Sequence, residues 1–256
     1  MEKPFVYIAS LMRTGSTLLQ EALTELPHSF IFHEPEFCRN KFNMKKRFIK
    51  ELNELIGIDI HVLMKNPNVK TLVNKVLPLM EPHIKQVGVK EIENEGWENY
   101  INNIPNIKII IIGRDPRSLY VSIHNWFKRK GVNKWKDGRP FNPEVLFEGL
   151  KSDINIQIEM FKKFDAYKVR YEDFCLNTEK IFGEIKDFVD SPLTSIGKVG
   201  GFLSNNPKRI NEFYEHGFEI TIKKIESWKD IDDKLLLKNI NTFNNLMDEY
   251  REFWGY

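Results

Sequence analysis

Residues Phe5 to Leu23 read FVYIASLMRTGSTLLQEAL, and this stretch decides the fold. Phe5 to Ala9 is a short apolar run with aromatic and β-branched members, and Ser10 to Ser16 is small and polar around one glycine. From Thr17 onward Leu18, Leu19, Ala22 and Leu23 recur at helical spacing, so the segment predicts strand, turn and helix. Such a turn aims the unpaired N–H groups of a helix N-terminus at whatever lies above the strand, and the natural guest is an anion, most often a phosphate. The loop is not the GxxxxGK[ST] signature of nucleotide triphosphatases, because both its first Gly and its Lys are missing. In their place Arg13 precedes Thr14, Gly15, Ser16 and Thr17. An arginine stays charged at any working pH and can grip an oxyanion with two parallel donors and no intervening metal. The same hydroxyls would otherwise serve only to cap a helix.

Working outward, segments with strand character alternate with segments of helical pattern. Ser29 to His33 (SFIFH) predicts a second strand, with Glu34 and Pro35 at its tip. Gln86 to Ile92 (QVGVKEI) predicts a third, bringing Lys90 and Glu91 to its end. Lys108 to Gly113 (KIIIIG) is the most apolar strand of the chain, and an unbroken Ile run marks a parallel strand buried on both faces, which places it at the sheet centre. Tyr167 to Arg170 is the next strand, with Tyr171 continuing from its tip. Helices are expected over Arg39–Ile56, Val69–Met80, Asn94–Ile101, Pro143–Phe164, Asn177–Val189 with Thr178 as a cap, and Ile231–Phe253. Met64 and Met80 read as core filler. The architecture that follows is α/β, a P-loop-like doubly wound parallel sheet with helices on both faces, in one domain of 256 residues.

Ligands of open parallel sheets bind beyond the carboxyl ends of the strands, so the tips carry the candidate chemistry. Glu34 is either a general base or an ordinary solvated turn residue. Lys90 either steadies an oxyanion or pairs with Glu91 or Glu93. After the Ile strand, Asp115 is a helix N-cap and Pro116 the first helical residue, which leaves Arg114 at the strand tip. Ser122 rises about 9 Å along that helix at 1.5 Å per residue, so a long guanidinium and a short hydroxyl can converge on one oxyanion. Arg114 could alternatively pair with Asp115 or Glu172. His33 and His124 are competing bases, the first adjoining the site and the second structural. Lys45, Lys46 and Arg47 form a basic run that suits an anionic acceptor or a solvated face. Lys128–Pro143 is basic, aromatic and rich in Gly and Pro, as expected of a surface lid; Trp126, Phe127, Lys128, Arg129 and Trp135 either meet a sugar or acid there or pack the lid.

Composition excludes several classes. Lys and Arg total 38 against 36 Asp and Glu, a net charge of +2, so no global field argues for nucleic acid or an acidic membrane as partner. Two cysteines, Cys38 and Cys175, make no disulfide framework and have no metal-ligand spacing. The chain opens Met1-Glu2-Lys3-Pro4 and enters a strand at once, without a signal peptide or a membrane-length apolar run. A cytoplasmic, soluble protein with no metal is expected.

Three pieces taken together, RTGST after the first strand, GRDPRSLYVS after the Ile strand and RYEDF after a later one, resemble the sulfotransferases that use 3′-phosphoadenosine 5′-phosphosulfate (PAPS). The resemblance runs from Val6 to Val189. It implies that Arg13, Thr14, Gly15, Ser16 and Thr17 hold the 5′-phosphosulfate, that Arg114 and Ser122 bind the 3′-phosphate, and that Tyr171 lies near the nucleotide. Arg13 ahead of the hydroxyl and glycine is closer to the carbohydrate, tyrosyl-protein and bacterial trehalose-type members than to the small-phenol and steroid members, which carry Lys there. Glu34-Pro35 matches a Glu-Pro after the second strand and implies Glu34 as the base; Lys90 is similar to a Lys on the transferring group. The late Arg-Lys-Gly segment of the small-phenol members is missing, and Lys208 and Arg209 are candidates to replace it. The expected reaction is in-line sulfuryl transfer from PAPS to a hydroxyl of a small-molecule or carbohydrate acceptor, leaving adenosine 3′,5′-bisphosphate. The alternatives are a P-loop kinase-like phosphotransferase, which predicts ATP and Mg²⁺, and a non-catalytic adenosine-bisphosphate-binding protein.

Overall fold

A computed structural model describes residues 4–44, 46, 49–197, 220, 222 and 224–256. Lys45, Arg47, Lys208 and Arg209 lie outside these residues, as does most of Ser191–Pro207, whose glycines and Asn-Asn-Pro give it the composition of a loop. Five strands, β1 (Phe5–Ser10), β2 (Ser29–His33), β3 (Gln86–Glu91), β4 (Ile107–Gly113) and β5 (Ala166–Arg170), pair in the order β2-β3-β1-β4-β5. Every pair is parallel. The register aligns Ile8 with Lys90 and Ile110, His33 with Lys90, and Gly113 with Arg170, so the strand tips form one rim. The Ile strand is β4, buried on both faces as expected, but the central position belongs to β1, with β4 beside it. Apolarity reports burial on two faces and not rank in the sheet; β1 is equally buried along its whole length.

Alternation along the strands divides the core in two. Val6, Ile8, Ile31, Ile110 and Ile112 pack with Leu18 and Leu19 of the first helix, Ser16–Ala22, and with the helices Tyr171–Leu176 and Thr178–Phe188. On the other face Phe5, Tyr7, Phe32, Ile109 and Ile111 pack with the helices Pro116–Lys130, Pro143–Lys163, Lys234–Leu246 and Asp248–Trp254. This is the doubly wound arrangement, and the helix starts follow the sequence. Asp115 accepts the Arg117 N–H at 2.8 Å ahead of Pro116, and Asn142 accepts the Val145 N–H at 2.8 Å ahead of Pro143. Gly131 closes the first of these helices at φ 64° after Lys128, Arg129 and Lys130, cations that favour the negative end of the dipole.

Several expected boundaries move. The Arg39–Ile56 helix is reduced to Lys50–Ile56, because Asn40 turns into the left-handed region at φ 55° after a 3₁₀ turn at Phe37–Arg39. Val69–Met80 is helical throughout but passes through a π segment at Leu72–Val76, which widens the coil ahead of Pro78, a residue with no N–H to donate. Asn94 is held by side-chain bonds, and the helix after it begins only at Glu98. Thr178 is no N-cap: its hydroxyl donates back to the Phe174 carbonyl at 2.8 Å. The last helical stretch breaks at Met247. Most of the expected lid is exposed, over 128–134 and 136–140, and its aromatic content packs inward. Lys134 and Pro140 close it with an antiparallel bridge, and the buried Trp135 ring stacks on Phe127 at 5.7 Å. Met64 and Met80 are buried, as expected. No described helix is long and apolar enough to cross a membrane.

One close approach fixes the rim end of β4. A Cβ on Gly113 would fall 2.2 Å from Cε2 of Trp254, so the indole lies flat on the backbone only because residue 113 has no side chain. Gly113→Ala should therefore cost about 1–3 kcal/mol by forced repacking, read as a lower urea midpoint; an unchanged midpoint would show that Trp254 yields freely.

Candidate active site

The turn after β1 is shaped from within. Arg13 takes φ 65° and Gly15 φ 89°, and the buried Thr14 hydroxyl donates to the Leu11 carbonyl at 2.8 Å. Gly15 is the N-cap of the first helix, and its carbonyl accepts the Leu19 N–H at 3.2 Å. The position requires glycine twice over: the φ is left-handed, and a Cβ would sit 2.2 Å from Cδ2 of Tyr171. Ser16 is buried in the first turn and Thr17 is half-buried beside it.

Tyr171, the first helical residue beyond β5, lies with its ring against Gly15, and on the same ring rests the Arg114 guanidinium, 4.5 Å from the centroid. Arg114 is 5% exposed. Its Nη1 donates to the Arg13 carbonyl at 3.1 Å and its Nη2 to the Lys224 carbonyl at 2.6 Å. Its Nε is buried with no partner among the described residues. The Arg13 Nε in turn donates to Ser122 Oγ at 3.4 Å. Arg13, Arg114, Ser122, Gly15 and Tyr171 are thus drawn from four segments into one cluster. Neither Asp115 nor Glu172 takes Arg114. Asp115 is held by Arg117 at 2.6 Å, and Glu172 accepts the Asp115 N–H at 3.0 Å.

The second half of the rim is built by β2 and β3. Lys90 is fully buried, yet its ammonium reaches Thr17 Oγ1 at 3.4 Å and forms a close ion pair with Glu34. Its partner is Glu34, not Glu91 or Glu93. Glu34 stands at φ 48° with its N–H on the Lys90 carbonyl at 2.8 Å, and its side chain keeps 32% exposure. Burial alone would raise the Glu34 carboxyl, but the Lys90 charge, followed by His33 and Arg13, outweighs it and holds the group at about 2. Burial and then the same ammonium press His33 down to about 3, which leaves the ring neutral. Its Nε2 lies 3.7 Å from Glu34 and its Nδ1 3.3 Å from Gln20. His124 instead lies beside Tyr120 and Phe141, its ring stacked on the first at 6.4 Å and tilted to the second at 6.3 Å.

Successive residues of a strand face opposite sides, and β3 uses both. While Lys90 rises toward the first helix, Glu91 turns into the other core, 1% exposed. It accepts the Tyr100 hydroxyl at 3.0 Å and, with both oxygens, the Glu36 N–H at 3.1 and 3.3 Å. Glu34-Pro35-Glu36 is therefore clamped from two sides, with both glutamates at positive φ. Sequence reading missed Glu91 in this role, and it missed the carbonyls of Lys224 and Ile225; the latter accepts the Ser118 hydroxyl at 2.7 Å. A backbone acceptor leaves no signal in a sequence. Among the described residues no group of His, Cys, Asp or Glu is arranged to hold a metal ion.

A parallel sheet with a glycine turn ahead of a helix at the tip of its central strand defines an α/β protein of P-loop-like architecture. The family model described as "Sulfotransferase domain" matches residues 3–217. The sulfotransferase domain from the curacin biosynthetic pathway superposes with a TM-score of 0.65 at 16% identity, covering 97% of each chain. The sulfotransferase domain of the Synechococcus PCC 7002 olefin synthase gives 0.65 at 14%, covering 96% of this chain and 95% of that one. Mouse sulfotransferase SULT7A1, solved with PAP, gives 0.52 at 11%, covering 98% and 86%. No curated protein sequence matches the chain significantly. The chain belongs to the sulfotransferase family, the PAPS-dependent enzymes its motifs resemble.

Burial raises the Glu91 carboxyl to about 8, against the pull of Tyr100. A raised carboxylate stabilises the fold fully below its ordinary value and loses that contribution as pH climbs through the folded value. Glu91→Gln should therefore gain stability relative to the native protein by ~1 kcal/mol per pH unit from about pH 5 to pH 8. Urea titrations at several pH values would check this; a difference independent of pH would contradict it.

Proposed function

We propose that the chain transfers a sulfuryl group from PAPS to a hydroxyl of a small-molecule or carbohydrate acceptor, with Glu34 as general base. The observation that carries the nucleotide half is the buried Arg114 Nε, without a partner among the described residues, on a guanidinium whose other ends are already engaged. A buried charged donor left open is costly unless a ligand completes it, and a 3′-phosphate shared with Ser122 fits that need. Arg13, the turn Thr14-Gly15 and the hydroxyls of Ser16 and Thr17 face the place of the 5′-phosphosulfate. Thr14 contributes through the shape of the turn, since its hydroxyl is spent on Leu11. PAPS, when bound, supplies the sulfuryl group on a bond to its 5′-phosphate that breaks as the acceptor oxygen bonds to sulfur.

The residues of the chain then have distinct tasks. Glu34, already ionised and partly exposed, takes the proton of the acceptor hydroxyl. In the free protein the same Lys90 charge that keeps this carboxylate ready also weakens it as a base. Lys90, within reach of Thr17, is placed to turn toward the leaving side and offset charge there, which returns basicity to Glu34. A sulfuryl group carries less charge than a terminal phosphoryl group, so fixed cations suffice to neutralise it. The kinase-like reading is disfavoured by the absence of a Lys after Gly15, and the non-catalytic reading by the family match. The retinol dehydratase solved with retinol and PAP has a TM-score of 0.50 with this chain at 15% identity, and it supports a small-molecule acceptor.

Adenosine 3′,5′-bisphosphate at about 100 times its Kd should stabilise the protein by ~2.7 kcal/mol, measured as a thermal shift, with ATP plus Mg²⁺ giving far less; the reverse ranking would favour a phosphotransferase. Glu34→Gln should lower kcat by about 10²–10⁴ while the bisphosphate shift persists. Full turnover in that variant, with the nucleotide bound, would remove Glu34 from its role.

A further inference from the structure

We infer that the last described helix, Asp248–Trp254, together with Tyr256, positions the 3′-phosphate seat, an inference that rests on Arg114 and Ser122 holding that phosphate. Three consecutive residues at the β4 tip are each held from this segment. Gly113 lies under the Trp254 indole, where no Cβ fits. The Arg114 backbone N–H donates to the Tyr250 hydroxyl at 3.0 Å, and Tyr250 is 1% exposed. The Asp115 N–H donates to Glu172 Oε1 at 3.0 Å, while the other oxygen of Glu172 accepts the Tyr256 hydroxyl at 2.6 Å. Tyr256 is itself fixed beneath the Arg170 guanidinium, 4.4 Å from its ring centroid.

These contacts sit on the backbone, one bond from the side chain that matters. The Arg114 guanidinium cannot be steered by its own neighbours on β4, because those are buried aliphatic residues. Its tip is held by the Arg13 and Lys224 carbonyls and the Tyr171 ring, while the place of the Arg114 Cα is set by where the strand ends and the next helix begins, between Gly113 and Pro116. That junction has two N–H groups left over from the strand ladder, at Arg114 and Asp115. Both are met from outside the sheet, one directly and one through Glu172. Tyr250 and Tyr256 spend their hydroxyls on the protein itself, so they act as positioning residues. Loss of the Tyr250 hydroxyl frees the Arg114 N–H to seek another partner, and loss of the Tyr256 hydroxyl releases Glu172 Oε2 and loosens the carboxylate that holds the Asp115 N–H; either lets the junction rotate, which moves the Arg114 Nε away from a phosphate on Ser122. The 5′-phosphosulfate turn has its own supports in Gly15 and Thr14 and meets this junction only through the Arg114 side chain, at the Arg13 carbonyl and the Tyr171 ring.

The test compares the full chain with Tyr250→Phe and Tyr256→Phe, each of which keeps the ring and its packing. Calorimetry would measure Kd for adenosine 3′,5′-bisphosphate and for adenosine 5′-monophosphate, which lacks the 3′-phosphate. The ratio of the two constants should fall about five- to tenfold in each variant, with binding of the monophosphate nearly unchanged and kcat at saturating PAPS close to that of the native protein. Parallel weakening of both nucleotides, or no change in either, would overturn the inference while the native preference for the bisphosphate upheld the seat. A native protein that binds the two nucleotides equally would overturn the seat and the inference together. Phe substitutions retain Tyr250 in its core, and Tyr256, half-buried, gives a second variant should the first fail to fold.

Discussion

The site depends on one aromatic ring pressed between a glycine and an arginine. Tyr171 fills the space where Gly15 has no side chain and carries the Arg114 guanidinium on its other contact. Through it the tips of β1, β4 and β5 become a single body, and the loop is closed when Arg114 donates to the Arg13 carbonyl. Each link is of ordinary strength, about 1 kcal/mol for a neutral hydrogen bond and somewhat more for a desolvated cation on an aromatic face. Their effect is geometric. Two positive groups that would repel in isolation are held on one side of the molecule, at the carboxyl ends of parallel strands, where the topology already opens a crevice. Holding them there in advance is what electrostatic catalysis and tight anion binding both require.

The β2–β3 half of the rim uses a different device, in which a strand distributes opposite jobs to neighbouring residues. Lys90 and Glu91 are adjacent on β3, both buried, and both charged types in sequence. Glu34 meets the lysine in a close ion pair. The glutamate, facing Tyr100 and the Glu36 amide, is pushed by burial toward the neutral form. Between them they hold a Glu-Pro-Glu turn whose two glutamates stand at positive φ, a conformation that costs of order 1 kcal/mol or more for each non-glycine residue. Strain held in place by a buried partner on either side is what keeps the Glu34 carboxylate directed at the rim instead of into solvent.

Much of this was legible in the sequence because the informative features are local. The Phe5–Leu23 pattern, the Ile run of β4, and Asp115-Pro116 at a helix start each encode their structure within a few residues. So does the alternation of strands and helices that gives the doubly wound sheet. What was not legible depends on partners far away in the chain. The rank of β4 beside β1 is set by crossover geometry, not by hydropathy. The choice of Glu34 over Glu91 as the partner of Lys90 follows from the period of two along β3 combined with the parallel register of β2 and β3. The lid aromatics Phe127 and Trp135 carry the composition of a sugar platform and yet stack on each other. Tyr250 and Tyr256 look like ordinary members of an amphipathic helix and its end until the β4 tip is placed against them.

The most direct measurement is a crystal structure of the protein with adenosine 3′,5′-bisphosphate. The account predicts the 3′-phosphate within hydrogen-bonding distance of Arg114 Nε and Ser122 Oγ, and the 5′-phosphate over the turn from Arg13 to Thr17, with Tyr171 unmoved against Gly15. A nucleotide seated away from this rim, or bound with its two phosphates exchanged between the seats, would contradict it.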